Sequence, residues 1–409
     1  MRCENDHIYN ERLLYLQSLP QGLFIGGAAA FVDVFLVRLG AESWLVSLSS
    51  SLASLLMMLA VLPAGAWVQR RGRYLRDLVA SRWVHRIVFG LMALVPFLGQ
   101  TLAPYALVGL RASASLPASM QNVTFTAVLG QATARNRRAR MLSTRLAAMR
   151  LSMALVGFLT GLWLDRVLFP LNYQLLFASS LLAGAGTTYL LAKLRLPEEM
   201  EEQPSAERTK LDLRQIPALL KSAPRFQRYI TARMLVQVGV SLGIGLLPVY
   251  RVRTLAASDA WLGVLLTVQH TTQVGSYLLL SRLLRKRGFR KKLWVATLGM
   301  ALMPITTALA PSPEWLILPS LIIGIFGAAL MVYFGDSVIA YSPEDRRPFF
   351  AAINSFVLQG INFVGPLVGS ALAAATSVRA ILLLAGGLRL IGGLAFWWLT
   401  VRQPQQPAT

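Results

Sequence analysis

The sequence is poor in acidic residues, histidine and cysteine, and each shortage excludes a class of protein. Its 409 residues include 18 Asp and Glu, three His and one Cys. The single cysteine, Cys3, cannot form an intrachain disulfide, and so few His and Cys offer no cluster of metal ligands. The Gly-x-x-x-x-Gly-Lys loop that binds nucleotide phosphates is also absent. We therefore expect no metal, no cofactor and no enzymatic activity.

Charge of either sign is scarce as well. Charged residues make up 14% of the chain and hydrophobic residues 55%, with a mean hydropathy of +0.54. A water-soluble globule of this size needs more polar surface than this composition supplies. Apolar runs of about 20 residues recur, and each is long enough to cross about 30 Å of hydrocarbon. Because lipid offers no hydrogen bonds to the backbone, such runs form helices. The sequence predicts an all-α polytopic membrane protein.

The apolar runs predict twelve transmembrane helices in two sets of six. The first six lie at about residues 17–39, 44–68, 78–99, 103–130, 142–164 and 173–194, and the second six at about 227–250, 261–284, 293–310, 314–340, 349–375 and 379–401. We therefore predict an N-terminal six-helix bundle (1–195), a cytoplasmic linker (196–225) and a C-terminal six-helix bundle (226–409).

The distribution of basic residues predicts the orientation of the chain. A net charge of +22 is typical of nucleic-acid-binding proteins, but here most of the 40 Lys and Arg lie in alternate loops and in the termini. These segments share one face of the predicted membrane protein, as the positive-inside rule requires of the cytoplasmic face. We expect an integral protein of the cytoplasmic (inner) membrane with both termini in the cytoplasm. Its basic face would contact anionic lipid, and we expect no nucleic-acid partner.

A short basic segment occurs once in each half. At residues 65–73 a small residue, Gly65, is followed by a basic cluster and by Gly72; at 281–289, Ser281 and Gly288 take the same places. The repeats keep one order, and six helices per repeat give both halves the same orientation. The sequence thus predicts two parallel six-helix repeats about an axis along the membrane normal, an architecture of secondary transporters.

The sequence resembles the twelve-helix type of the major facilitator superfamily (MFS) over essentially the whole chain. Its best motif is Gly-x-x-x-Asp-Arg-x-Gly-Arg between helices 2 and 3, where the family's Asp is replaced by Gln69. The resemblance implies a monomeric secondary transporter of a small molecule that works by alternating access. It also implies a cytoplasmic gate motif made of Gly65, Gln69, Arg70, Gly72, Arg73, Arg285 and Gly288.

The antiporter signature of this family is present only in part. That signature is a glycine-rich stretch of helix 5 with Gly-Pro at its centre. Gly157 and Gly161 are present, but Leu162 follows, and the Gly-Pro pair stands in helix 11 as Gly365-Pro366. Close packing between helices explains the two glycines of helix 5 equally well.

Asp33 is the best candidate for chemistry inside the membrane. It is one of two acids within the predicted spans, where an ionisable group costs about 2.5 kcal/mol or more and is a functional hypothesis. Arg111, in helix 4, lies at a similar depth to within one helical turn. We predict that Asp33 takes up a proton or binds a cationic substrate, with Arg111 tuning its affinity. A structural ion pair is the alternative.

Further polar residues in the predicted spans could line a central passage. A second pair, Arg233 and Asp336, could form a gate contact or pack locally, while Arg150 could join the Asp33 network or face the passage. His270 is the next candidate for titration, because its pKa is ordinarily nearest neutrality. Arg389, central in helix 12, has no evident partner. The candidate lining residues are Gln121, Asn122, Gln269, His270, Gln273, Asn354, Gln359 and Asn362.

Together these features predict a proton-coupled secondary transporter. We expect the efflux, by antiport with protons, of an amphipathic or hydrophobic compound, because the predicted passage has few charges and many Met, Phe and aliphatic residues. Two alternatives stay open: a metabolite importer of the same architecture, and a transporter-like sensor or lipid-handling protein that moves no solute.

Overall fold

A computed structural model describes residues 2–71, 73–133, 137–196, 223–283, 294–343 and 347–402. In this part of the chain the backbone is helical almost throughout and contains no strand. Residues 197–222 of the predicted linker, residues 284–289 of the second basic segment and Gly72 lie outside the described residues.

The first half forms six helices. Helix α1 is a continuous run of three pieces, an α-helix, a π-helical turn and a second α-helix, and α3 ends in a 3₁₀ stretch. The bounds are α1 Arg2–Phe24, Ile25–Ala29 and Ala30–Arg38, α2 Ser43–Arg71, α3 Tyr74–Leu91 and Met92–Leu98, α4 Gly99–Ala132, α5 Arg138–Arg166 and α6 Leu171–Ala192.

The second half forms six more. Helix α7 ends in a short α-helical piece and a π-helical turn, and α10 begins with a 3₁₀ turn. The bounds are α7 Pro224–Ile244, Leu246–Val249 and Tyr250–Thr254, α8 Asp259–Leu283, α9 Val295–Leu309, α10 Pro313–Leu316 and Ile317–Tyr341, α11 Arg347–Ala375 and α12 Val378–Arg402. The twelve predicted helices are thus confirmed in the described residues.

Nine helical runs in the described residues are long and apolar enough to cross a membrane. One of them, Tyr74–Ala132, contains both α3 and α4. Helix α9 is apolar but has only 15 residues. Helix α8 does not qualify, and it carries the polar sequence Gln269-His-Thr-Thr-Gln273 at its middle. The chain is an integral membrane protein, and its described residues form twelve helices.

Helix α1 begins much earlier than hydropathy predicted, at Arg2. Its first turns are polar and were therefore excluded from the predicted span. Two contacts hold them against the rest of the chain: Asn10 Nδ2 donates to the Arg195 carbonyl at 2.7 Å, and Glu11 forms an ion pair with Arg137 at 3.0 Å. These two tertiary contacts tie the polar start of α1 to the rest of unit 1.

The helices divide into two compact units. Unit 1 contains Met1–Ser205 together with Ala256–Thr271, and unit 2 contains Ala206–Leu255 and Thr272–Thr409. The segment Ala256–Thr271 therefore packs with the first six helices, although the sequence placed it in the C-terminal bundle. The bundle boundaries inferred from the sequence stay a prediction.

The internal packing of the two units repeats. In unit 1 the close helix pairs include α1 with α5 and α6, and α3 with α4 and α6. In unit 2 they include α7 with α11 and α12, and α9 with α10 and α12. Adding six to each helix number of the first set gives the second set. This correspondence is what two parallel six-helix repeats require.

Candidate functional site

Asp33 lies on α1 just beyond an irregular turn. Residues Ile25–Ala29 form a π-helical turn, and Gly27 within it departs from helical geometry (φ −93°, ψ −107°). Such turns occur often at functional sites, because the extra residue re-aims the side chains that follow. Asp33 comes four residues after this turn. It lies five residues before the end of the helix at Arg38, a separation of about 7.5 Å along the helix axis.

The irregular turn is seated against α5. A Cβ at Gly26 would lie 2.6 Å from the carbonyl oxygen of Met153, so the two helices meet backbone to backbone. One turn earlier, a Cβ at Gly22 would lie 2.6 Å from Ser152 Cβ, and the Ser152 hydroxyl donates to the Leu19 carbonyl at 2.9 Å. Glycines at these positions fix where α1 bends and therefore where Asp33 is presented.

Arg111 reaches Asp33 from α4. That helix contains Pro104 and Pro117, one on each side of Arg111. Each proline removes a backbone hydrogen bond and disturbs the helix locally. Arg111 Nη1 forms an ion pair with Asp33 Oδ1, and the side chains are 24% and 29% exposed. The two residues predicted to lie at one depth are thus in direct contact, and the contacting atoms, Arg111 Nη1 and Asp33 Oδ1, are themselves buried. Its role in transport stays a prediction.

A second acidic residue, Asp259, is the centre of a larger network that the sequence did not reveal. It begins α8, within unit 1, and its side chain is 6% exposed. Arg38 donates to Asp259 Oδ1 from Nη2 at 3.0 Å and from Nε at 3.3 Å, and Tyr173 Oη donates to Oδ2 at 2.7 Å. The Asp259 backbone N–H donates to Asp165 Oδ1 at 2.9 Å. This network joins α1, α5 and α6 to the start of α8.

The start of α8 also packs closely on α5, without side chains between the backbones. A Cβ at Gly263 would lie 2.5 Å from the Gly157 carbonyl oxygen, and one at Gly161 would lie 2.6 Å from the Asp259 carbonyl oxygen. One turn further on, Thr267 Oγ1 donates to the Ala154 carbonyl at 2.8 Å. The glycines of the partial antiporter signature therefore serve this close helix contact, which was the alternative reading of the sequence.

Unit 2 contains a chain of amide side chains between α7 and α11. Gln237 Nε2 donates to Asn362 Oδ1 at 2.6 Å, and Asn362 Nδ2 donates to Gln359 Oε1 at 3.2 Å. Two of these, Gln359 and Asn362, were candidate lining residues; Gln237 was missed, because a lone amide in an apolar helix gives no pattern. The side-chain oxygens of Gln273 and Asn354 are buried without a hydrogen-bond partner in the part of the chain described.

The other candidate residues are dispersed. Gln121 donates to the Ser81 carbonyl at 3.2 Å, which ties α4 to α3, while Asn122 is exposed and His270 is buried. Gln269 is half-buried. Arg150 Nη1 lies 4.0 Å from Met153 Sδ in its own helix, and among the described residues it makes no ion pair with Asp33.

The predicted gate residues can be placed only in part. Gly65 lies on α2, where a Cβ would meet no atom within 4 Å, and Arg73 is exposed just before α3. The guanidinium of Arg233 lies 3.8 Å from the centroid of the Phe334 ring. Five remaining members lie outside the described residues, either wholly or in their side chains: Gln69, Arg70, Gly72, Arg285 and Gly288. The side chain of Asp336 is also outside them, so its pairing with Arg233 stays a prediction.

Comparisons with known proteins agree with this architecture. The family model described as Major Facilitator Superfamily matches residues 14–334 and 253–409. No curated protein matches the sequence significantly.

Solved structures match at low identity. The nucleoside transporter NupG is 13% identical with a TM-score of 0.62, and the match covers 97% of this chain and 99% of that one. An inward-open structure of the xylose transporter XylE from E. coli is 14% identical with a TM-score of 0.67, covering 100% and 98%. A POT family transporter in complex with 5-aminolevulinic acid is 12% identical with a TM-score of 0.67, covering 96% of each chain.

At such identities the matches show the fold, and the family model covers more than half of the sequence. The family match and the shared twelve-helix fold lead to one conclusion: the chain belongs to the Major Facilitator Superfamily.

Proposed function

We propose that the protein is a proton-coupled secondary transporter in which Asp33 carries the proton. The observation that supports this most is the ion pair between Asp33 and Arg111, two partly exposed charges on helices that are irregular beside them. Partial exposure lets a proton reach the carboxylate, and the irregular backbone lets the two helices respond when it does.

The attraction between Asp33 and Arg111 and the free energy of a transmembrane pH gradient are of similar size. Two unit charges about 4 Å apart attract by about 4 kcal/mol at an effective dielectric constant of 20, and desolvation offsets part of this attraction. A gradient of two pH units supplies about 2.7 kcal/mol. Protonation of Asp33 therefore removes an interaction of the same size as the driving force. Loss of the pair frees Arg111 and α1, and this change would bias the alternating-access equilibrium.

The test is proton movement in reconstituted vesicles. A thermal-stability screen of the purified protein against a compound library first identifies a ligand. Proteoliposomes with an internal pH-sensitive dye are then exposed to that ligand under an imposed pH gradient. We expect ligand-dependent proton flux in the wild type and none in Asp33→Asn, because an amide, unlike a carboxylate, does not gain or lose a net proton near neutral pH.

The matched control is Glu42→Gln, which neutralises an exposed carboxylate that accepts only from Trp44 in the described structure. This variant should keep the flux of the wild type. Ligand-induced stabilisation without any flux of protons or ligand would instead identify a sensor. An unchanged proton flux in Asp33→Asn would contradict the role of this residue.

For the substrate we propose efflux of an amphipathic or hydrophobic compound, by antiport with protons. The support is compositional: most candidate lining residues are neutral. The amide chain Gln237–Asn362–Gln359 favours a second candidate, import of a polar metabolite, because amides suit hydroxyl and ring-nitrogen groups. The nucleoside and xylose transporters of the same fold carry such solutes, by their names. Stabilisation in the screen by nucleosides or sugars, and not by amphipathic cations, would select the importer.

The distribution of Lys and Arg supports the inner membrane as the location and a cytoplasmic position for both termini. We propose the gate motif around Gly65 and Arg73 as the cytoplasmic gate, as the family resemblance implies, with lipid contacts at the basic face and a monomeric protein.

A further inference from the structure

Unit 1 contains a cluster of three buried arginines that the proposed transport mechanism does not use. Arg82 and Arg86 lie one turn apart on α3 and are 4% and 1% exposed. Arg145 lies on α5 and is 7% exposed. Charged side chains this deeply buried are almost always paired with an opposite charge.

The partners of these arginines are neutral. Gln21 Oε1 accepts from Arg82 Nη1 at 2.5 Å and from Arg86 Nη2 at 2.7 Å, which brings the two guanidinium groups together. With its amide oxygen directed at Arg145, Gln17 accepts from Nε at 3.0 Å and from Nη2 at 3.1 Å.

The other close contacts of the three guanidinium groups are with the faces of aromatic rings. The Arg86 guanidinium carbon lies 3.3 Å from the centroid of Phe24. The ring of Phe125 lies near both of the others, with centroid distances of 5.5 Å to Arg82 and 4.5 Å to Arg145.

No carboxylate in the described ranges pairs with this cluster. The acids of unit 1 that form ion pairs in these ranges all pair with other cations: Asp6 with Arg195, Glu11 with Arg137, Asp33 with Arg111 and Asp259 with Arg38. Two donors of the cluster, Arg82 Nε and Arg86 Nη1, are buried without a hydrogen-bond partner. Amide oxygens and aromatic rings carry only partial negative charge, so three full positive charges stay unbalanced.

The cluster is accommodated by the surrounding sequence. A Cβ at Gly184 on α6 would lie 2.4 Å from Arg86 Cγ, so the absence of a side chain there makes room for Arg86. Gln21 is only half-buried and forms the accessible edge of the cluster. Guanidinium forks bind small anions by paired charge-assisted hydrogen bonds.

We propose that unit 1 binds a small anion at Arg82 and Arg86, beside Gln21, with Arg145 adding to the positive field. The ligand chemistry is that of chloride or phosphate, and the phosphate of an anionic lipid headgroup offers the same chemistry. This site is separate from the Asp33–Arg111 pair and does not depend on the proposed function.

The test is the thermal unfolding of the purified full-length protein in detergent at constant ionic strength. Sodium gluconate, whose anion is large, is the reference, and it is replaced stepwise by sodium chloride or sodium phosphate. A fourth sample contains gluconate and added phosphatidylglycerol. We expect a saturable rise of the unfolding temperature with at least one of chloride, phosphate and the lipid. A rise with the salts identifies a free anion, and a rise with the lipid alone identifies the headgroup.

The decisive variant is Gln21→Glu, which places a carboxylate of the same shape between Arg82 and Arg86. We expect it to unfold at a higher temperature than the wild type in gluconate and to lose the response to added anion. Gln227→Glu, which converts an exposed amide on α7 into a carboxylate, is the matched control and should respond as the wild type does.

A second variant, Arg82→Gln, tests the proposal if Gln21→Glu does not fold. Arg82→Gln keeps one cation beside Gln21 and should weaken the response to anion at least tenfold in concentration. Equal unfolding temperatures of the wild type in all four samples would overturn the proposal. So would a response to anion that is the same in Gln21→Glu and Arg82→Gln as in the wild type.

Discussion

Replacement of Asp259 by alanine should release the start of α8 from unit 1. The side chain of Asp259 accepts three hydrogen bonds, two from Arg38 and one from Tyr173. Alanine leaves these donors without their acceptor, whereas the backbone contact of residue 259 with Asp165 is kept. The change therefore isolates the contribution of one carboxylate.

The magnitude follows from the burial of the partners. Removing one member of a buried ion pair costs about 3–5 kcal/mol, and a hydrogen bond to a charged group contributes about 1.5–3 kcal/mol. Arg38 is 32% exposed, so water replaces part of its lost interaction. We therefore take the low end, about 3 kcal/mol. At 1.36 kcal/mol for each factor of ten, local opening should become on the order of 100-fold more frequent.

Hydrogen–deuterium exchange followed by mass spectrometry measures this opening directly. Peptides that cover Ala256–Thr271 should exchange on the order of 100-fold faster in Asp259→Ala, while those of α3 and α4 stay unchanged. Asp259→Asn keeps the shape and one acceptor, so its effect should be intermediate. Glu42→Gln, an exposed acid between α1 and α2, should have none. Exchange in Asp259→Ala within threefold of the wild type would refute the idea that this network holds the segment.

Two further predictions concern packing and orientation. Gly161→Ala would place its Cβ 2.6 Å from the Asp259 carbonyl oxygen and 2.9 Å from Gly263 Cα; we expect a loss of about 1–3 kcal/mol in thermal unfolding. The matched change Gly109→Ala, where a Cβ meets nothing within 4 Å, should instead gain about 0.5–1 kcal/mol, and equal stabilities of the two variants would contradict the close contact. The only cysteine, Cys3, should react with a membrane-impermeant thiol reagent in everted vesicles and not in intact cells; labelling of intact cells would reverse the predicted orientation.

The helices were predictable from the sequence because lipid imposes a single strong rule. Every backbone group in the hydrocarbon must be satisfied within its own helix, so length and hydropathy suffice to place most spans. Hydropathy does not predict the structure where a helix is surrounded by protein and not by lipid. The polar start of α1 is held by contacts from Asn10 and Glu11, and the irregular turn at Ile25–Ala29 depends on backbone packing against α5. Neither contact has a signature in hydropathy.

The candidate site was predictable to the extent that burial of charge is costly. Asp33 and Arg111 stood out because both lie within apolar spans at one depth, and the structure brings them into contact. Asp259 did not stand out, because it lies at the very start of its helix, where an acid is unremarkable as a favourable partner of the helix dipole. A weak signal was available in Arg38, which is one of few basic residues on the predicted outer face.

The position of Arg389 could not be explained by looking for an oppositely charged partner in the sequence. It had no evident partner in the sequence, and in unit 2 it lies in α12, where its Nη1 donates to the Met300 carbonyl of α9 at 3.3 Å and its side chain packs on Gly239 of α7. In unit 1, Arg86 of α3 lies between α1 and Gly184 of α6. The two junctions correspond under the internal repeat, since α1, α3 and α6 match α7, α9 and α12. Each repeat thus buries one arginine at the same three-helix junction but supplies it from a different helix. A sequence comparison of the two halves, which aligns helix with helix, cannot detect an equivalence of this kind.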